Sequence, residues 1–379
     1  MAARTTPPFR ADQVGSLRRP EPLMQARERL LGAHDLDHNF GPHGNAELHR
    51  LEDEAIREAV KLQEGIGLRS VTDGEFRRRI WWSEFLLSLD GVEGSYRGEE
   101  RFRDQTGHTV PSPRIDVTGK VRWRESVNVA PFKFLKSVTR ATPKVTMPAP
   151  QTLYQFATRA TVSKEAYPDL AALWDDLAEA YGAELRALSE AGCTYVQLDE
   201  VMTSCLCDEK QRAKFRSRGD DPDAMLGSYA GAINRIAANR PKGMTIALHT
   251  CRGNYQGHWM AEGGYDPIAE RVFNEIKVDA FFLEYDSPRA GGFEPLRFVP
   301  QDRTIVLGLV STKTPELESA DALKKRIDEA SRYVPLERLC LSPQCGFSSN
   351  YLGNPVTIDD EKRKLELVVK VAQSVWGSA

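Results

Sequence analysis

The chain has 379 residues, 41% hydrophobic and 28% charged, which is enough to bury one large core. Basic and acidic residues nearly balance, 51 against 54, with no basic block longer than Arg77-Arg78-Arg79, so neither nucleic acid nor an anionic membrane is expected as a partner. No apolar run reaches the ~18 residues of a membrane span, and MAARTTPPFR lacks a signal-peptide core. A cytoplasmic protein is expected, with its six cysteines as free thiols or metal ligands.

In chain order, short apolar or β-branched runs predict strands at 9–16, 69–75, 144–150, 193–200, 244–251, 279–286, 304–311 and 338–345. The later runs are almost continuously apolar, as parallel strands covered on both faces are. Amphipathic stretches at 46–66, 168–191, 222–239, 266–277, 319–333 and 359–375 predict helices between them. Eight strands alternating with helices predict an α/β fold, a (β/α)8 TIM-type barrel formed by residues 1–379 as one catalytic domain. An open doubly wound sheet is the alternative, and no Gly-x-Gly-x-x-Gly follows the first strand to support its dinucleotide-binding form. Two insertions are expected after strands 1 and 2. The first, 21–45, is rich in His, Gly and Pro. The second, 76–143, holds Trp81-Trp82 and an alternating stretch near 107–126 that suggests a hairpin.

Polar, reactive residues gather at the strand C-termini: Gly15-Ser16, Asp73-Gly74-Glu75, Asp199-Glu200, His249-Thr250-Cys251, Glu284-Tyr285-Asp286 and Gln344-Cys345-Gly346. In a barrel these ends form one face, where active sites are built. Alternate strand residues share a side, so His249 and Cys251 can turn toward a common point, joined by Glu284 and Cys345 from other strands. An imidazole, two thiolates and a carboxylate suit Zn²⁺. A buried polar residue beside a buried thiol is the plain alternative for His249-x-Cys251 alone. Cys205-x-Cys207 is a competing pair without the usual zinc or redox spacing. His34, His38, His43 and His49 are read as a solvated insertion, and Cys193 and Cys340 as core.

At these residues the chain resembles the catalytic barrel of the cobalamin-independent methionine synthase family. The motifs are VGSLRRP (14–20), VTDGEFRR (71–78), QLDE (197–200), LHTCRGN (248–254), FFLEYD (281–286) and LSPQCGF (341–347), and the likeness is greatest to short, single-barrel members. The resemblance implies that His249, Cys251, Glu284 and Cys345 hold zinc. It also places Gly15, Ser16, Glu75 and Asp199 where homocysteine binds. The implied activity is methyl transfer to homocysteine, giving methionine, through a thiol that zinc deprotonates. Two carboxylates suit an α-ammonium, and a Gly-Ser turn suits a carboxylate.

The chain departs from the family pattern on the methyl-donor side. Cys205 replaces a carboxylate that helps grip folate, Phe156 replaces a Trp that packs on the pterin, and Lys313 aligns with a proton-donating His. The expected partners are therefore a small thiol and a methyl donor, either a methylated corrinoid or folate. The rival readings are an epoxyalkane:coenzyme M transferase, whose thiol carries a sulfonate and no ammonium, a non-catalytic zinc- or thiol-binding module, and a zinc-free decarboxylase barrel of the uroporphyrinogen type.

Overall fold

The computed structural model describes residues 3–31, 43–95, 100–103, 109–111 and 114–379. In chain order its strands are β1 (Ser70–Val71), β2 (Asp90–Ser95), β3 (Glu100–Arg103), β4 (Thr109–Pro111), β5 (Arg114–Arg122), β6 (Thr142–Pro143), β7 (Val145–Pro148), β8 (Tyr195–Glu200), β9 (Thr245–Thr250), β10 (Ala280–Glu284), β11 (Thr304–Val310) and β12 (Leu339–Pro343). β7 to β12 lie side by side in sequence order, every neighbouring pair parallel. β1 pairs in parallel with β6, and Lys144, which joins β6 to β7, donates its backbone N–H to Val71 O at 2.8 Å.

The first segment, expected as a strand over 9–16, forms no regular strand. It holds a single parallel bridge, Ala11 to Leu341 of β12, with Asp12 N donating to Leu341 O at 3.0 Å. Its own side chains compete for the backbone: the Asp12 carboxylate accepts from Phe9 N at 3.3 Å and from Gln13 N at 2.8 Å. On the other side Thr72 Oγ1 donates to Gly15 O at 2.6 Å, and Leu17 N donates to Gly74 O at 3.1 Å. Eight segments thus follow one another around a (β/α)8 barrel, and the first is tied to its neighbours by one bridge to β12, a backbone hydrogen bond to Gly74 and the Thr72 hydroxyl. The second expected strand, 69–75, also ends early, at Val71, because Gly74 and Glu75 turn the chain at φ 66° and 60°.

The helices start and stop where their caps dictate. Asn45 accepts from Leu48 N before Ala46–Ile66, and Gly67 closes that helix at φ 99°. Asp221 caps Pro222–Ala238, with proline in the first turn. Thr357 and Asp360 form a capping box on Ile358–Trp376. The stretch 21–45, expected as an insertion, opens with a helix, Glu21–Leu31, that buries Leu23 and Ala26. Between β1 and β6 the chain makes two antiparallel pairs, β2 with β5 and β3 with β4.

Starts of the barrel strands enclose a compact cluster that includes Tyr195, Ala247, Ala280, Phe282, Val306 and Cys340. Fully buried Lys144 sits above the rings of Phe282 and Tyr195 at 4.3 and 4.9 Å. Its Nζ donates to Asp12 Oδ1 at 3.2 Å and to Gln13 O at 2.5 Å, while Tyr195 and Ser70 donate their hydroxyls to the same carboxylate. This plug closes one end. No helix among the described residues is long and apolar enough to cross a membrane.

Candidate active site

At the other end the strand C-termini surround a cavity lined by Ser16, Glu75, Trp81, Trp82, Phe156, Asp199, His249, Cys251, Asn254, Cys345 and Asn350, among others. The β8–β9 register sets Asp199 beside His249, and the carboxylate takes the imidazole Nδ1 at 2.9 Å. Gln197, one turn of the pleat before Asp199, donates to Asp199 Oδ1 and to Val14 O, both at 2.6 Å. His249 Nε2 meets Gln344 O at 3.2 Å. Burial pushes the His249 pKa down, but its bond to Asp199 and the nearby Cys345 outweigh this and lift it to about 9. An imidazole held through Nδ1 by a carboxylate is oriented to offer Nε2 to a metal.

Ligating atoms of His249, Cys251 and Cys345 all lie within 4.8 Å of one another, and all three residues are buried. The hydrogen bond between the two thiols raises the pKa of Cys251, with burial adding to the rise, and lowers that of Cys345. Glu284, on the neighbouring strand, is fully buried and turned to other partners. Arg289 donates to its Oε1 at 2.9 Å and Arg252 N to its Oε2 at 2.9 Å. Burial raises its pKa, yet Lys313, Arg252 and Arg289 together bring it below the usual carboxylate range. Lys313 is buried with Nζ donating to Gly253 O at 2.8 Å. The donor set of one imidazole, two thiols and an adjacent anionic carboxylate fits Zn²⁺.

Across the cavity, Gly15 and Ser16 meet Glu75. A Cβ on Gly15, at φ 149°, would stand 2.6 Å from Thr146 Cγ2 and 3.0 Å from Glu75 Oε1. A Cβ on Gly346 would overlap Ser16 Oγ at 2.0 Å, so the turn after Cys345 presses directly on Ser16. Glu75 keeps a left-handed backbone that disfavours any side chain. Its Oε1 accepts from Thr146 Oγ1 at 2.6 Å, and Arg78 lies 3.4 Å away. Burial, aided by Asp199, lifts its pKa to about 7 against the pull of Arg78.

Phe156 stacks on Trp82, ring centroids 4.6 Å apart. Cys205 is buried in the wall of an adjoining cavity with Tyr154, Met202, Lys214 and Arg218. Burial pushes the Cys207 thiol up to about 12. Cys205 and Cys207 belong to no metal-ligating group among the described residues. His34 and His38 lie outside the described residues. His43, expected to be solvated, is buried instead, stacked on His49 at 4.4 Å and bonded to Glu52 at 2.8 Å. Geometrically, His43, His49 and Glu52 could also take an ion. Arg77 and Arg27 already stand 3.3 and 3.6 Å from that carboxylate, which accounts for its charge.

Several working parts escaped the sequence reading. Trp81 and Trp82 follow a polar strand end directly, which was a usable signal. Arg19 and Arg289 gave none: an isolated arginine in sequence does not show which carboxylate or carbonyl it will meet.

The family model for the cobalamin-independent synthase catalytic domain matches residues 34–374. A Bacillus subtilis protein, YxjG, named as uncharacterized, is 42% identical over 98% of this chain and 96% of its own length. A methionine synthase of Saccharolobus solfataricus is 25% identical over 88% of this chain and 86% of its own. A solved structure from Listeria monocytogenes, described as a candidate vitamin-B12-independent methionine synthase, is 32% identical, covers 99% of this chain and 100% of its own, and superposes with a TM-score of 0.74. The chain is a member of the cobalamin-independent methionine synthase family, in its short, single-barrel form.

Proposed function

We propose that this enzyme transfers a methyl group to the thiol of homocysteine, with His249, Cys251, Cys345 and Glu284 as its zinc ligands. The observation that carries the reading is the convergence of His249, Cys251 and Cys345 on the wall of the cavity that also holds Ser16, Glu75 and Asp199. Zinc held there lowers the pKa of the substrate thiol, so the nucleophilic thiolate exists at neutral pH. Asp199 orients His249 through Oδ1 and, with Glu75, faces the α-ammonium. Ser16 faces the α-carboxylate. Arg289 and the Arg252 amide hold the Glu284 carboxylate by hydrogen bonds, so of the four residues that would hold zinc it is the one with other partners to return to. Lys313, from the turn after β11, acts on Cys251, Cys345 and Glu284 and draws their pKa values down. In the transfer the sulfur forms a bond to the methyl carbon, and the electron pair of the broken bond leaves with the donor.

The donor side supports a methylated corrinoid over methyltetrahydrofolate. Phe156 is already stacked on Trp82, and Cys205 offers no charge to a pterin. Against the family pattern, losing a charged hydrogen bond (about 1.5–3 kcal/mol) weakens folate binding more than tenfold. Incubating the zinc protein with homocysteine and each donor at equal concentration, and measuring methionine, tests both halves. No methionine with any donor would sink the activity. Methyltetrahydrofolate giving the highest kcat/KM by a wide margin would sink the donor assignment. Coenzyme M, a sulfonate, would be repelled by Glu75 and Asp199, and its preference over homocysteine would favour epoxide chemistry instead.

A further inference from the structure

Asn350 lies in the segment after Cys345, bridged to Ile80 and buried at 5% exposure in the wall of the same cavity. Its Oδ1 accepts from Leu352 N at 3.0 Å and Gly353 N at 3.2 Å. Both partners are donors, so the orientation of the amide is determined, and Nδ2 is the atom left with no partner among the described residues. Asn254, in the same wall, has the opposite polarity: its Nδ2 is spent on Gly346 O at 2.8 Å, and its Oδ1 is the atom without a partner. An anion can therefore be met by Asn350 and not by Asn254.

The position of Asn350 is tied to the residues that face the amino acid. Buried Arg19 donates to Asn350 O at 3.3 Å, Ser348 Oγ at 2.9 Å, Glu75 O at 2.6 Å and Arg78 O at 2.7 Å. Ser348 in turn donates its backbone N–H to Ser16 Oγ at 3.3 Å. One guanidinium thus braces Glu75, Asn350 and the neighbour of Ser16 as a unit. Buried amide N–H groups are nearly always paired, so the unpaired Nδ2 of a residue in the cavity wall calls for a partner, and a bound ligand would supply one.

We propose that Asn350 Nδ2 donates a hydrogen bond to the α-carboxylate of the thiol substrate, and that Asn350 thereby selects amino-acid thiols over simple aminothiols. The proposal rests on the homocysteine reading above. Asn350→Asp is the decisive variant: it keeps an oxygen for the Leu352 and Gly353 amides, so the segment stays braced, while a carboxylate oxygen replaces the donor. Binding of homocysteine and of 3-aminopropane-1-thiol, which keeps thiol and ammonium but lacks the carboxylate, is measured calorimetrically on the zinc protein. Homocysteine affinity is expected to fall about 10- to 100-fold in Asn350→Asp, as for a lost charge-assisted hydrogen bond. The aminothiol should not weaken by more than about twofold, an allowance for small changes in the loop. Asn350→Ala should show the same split with a smaller loss. Equal weakening of both thiols in both variants would make Asn350 a purely structural residue, and no weakening of either would assign the carboxylate to another donor; each overturns the proposal. Failure of the unmodified protein to bind homocysteine would instead overturn the underlying substrate reading, and the proposal with it.

Discussion

The two ends of the barrel are built from similar materials and do opposite things. Each buries carboxylates beside cations. At the closed end the Asp12 carboxylate is met by Lys144, Ser70 and Tyr195, and Lys144 is further met by a carbonyl and two aromatic faces. At the open end burial lifts the Glu75 pKa to about 7, the pKa values of Cys251 and Cys345 are driven apart, and Asn254 and Asn350 hold amide atoms without partners. The charged pair of Asp12 and Lys144 is saturated with partners and makes a plug, whereas the groups lining the open end leave atoms that a ligand or metal can complete.

The largest expected effect comes from removing the metal ligands at the open end. Cys251→Ser and Cys345→Ser should reduce bound zinc from about one per chain to a small fraction, because affinity depends on the whole donor set. Methyl transfer should fall by about three orders of magnitude or more, given how much activation the thiol owes to the metal. The fold should persist, since serine nearly preserves the side-chain volume at these two core positions and the Asp12–Lys144 plug does not involve their sulfurs. Elemental analysis with circular dichroism checks this, and stoichiometric zinc in both variants would refute the ligand assignment.

Next in size is a break at the closed end. Lys144→Met strands the Asp12 carboxylate in a fully buried site, which should cost about 3–5 kcal/mol of stability. Urea unfolding measures it, and adding Asp12→Asn should recover part of the loss. Zinc content of the folded protein should not change. A loss of zinc without loss of stability would mean that the two ends are coupled more tightly than the contrast allows.

How much of this was legible in the sequence follows the same division. β8 to β12 announce themselves as apolar runs, and their polar C-terminal residues land on one rim because a parallel barrel leaves them nowhere else. The convergence of His249, Cys251 and Cys345 was readable for that reason. The first strand was not, since the Asp12 carboxylate draws the backbone N–H groups of Phe9 and Gln13 into local bonds that no hydropathy pattern shows. Nor was the turn that carries Glu75, since hydropathy does not show a positive φ at a residue other than glycine. Glu284 was read with the other three ligands, yet its side chain meets Arg289, a residue five positions later on a short 3-10 turn. Long-range partners of single arginines, Arg19 above all, are decided by three-dimensional packing alone.

A smaller effect separates the two roles of Asp199. Asp199→Asn should raise KM for homocysteine by one to two orders of magnitude, about 1.5–3 kcal/mol for a charge-assisted hydrogen bond. A thiol lacking the ammonium should be much less affected. Because Asp199 also holds His249 Nδ1, zinc affinity should weaken as well, by roughly 10- to 100-fold. Measuring zinc by chelator competition alongside KM tells the two roles apart. Equal losses for thiols with and without an ammonium would leave Asp199 only its structural part.

The smallest effect is a pH dependence, and it tests whether the open end is left incomplete for a cation. In the empty site Glu75 holds its proton up to a pH of about 7, because burial disfavours the carboxylate. An arriving α-ammonium favours the charged form, so binding below that pH must release the proton and is weakened accordingly. Methionine is the right probe, since it carries the ammonium without a thiol proton of its own. Its affinity should rise about tenfold between pH 6 and 8 and then level off, as expected for one group titrating near 7. Glu75→Gln has no proton to release and should bind methionine more weakly, with no such slope. The sign for folding is the reverse. A carboxyl whose pKa is raised in the folded state costs stability as pH climbs from the usual 4.5 through 7, so Glu75→Gln should be relatively more stable at pH 8 than at pH 4, by at most about 3 kcal/mol. A methionine affinity that is flat in the unmodified protein from pH 6 to 8 would show that Glu75 does not meet the ammonium.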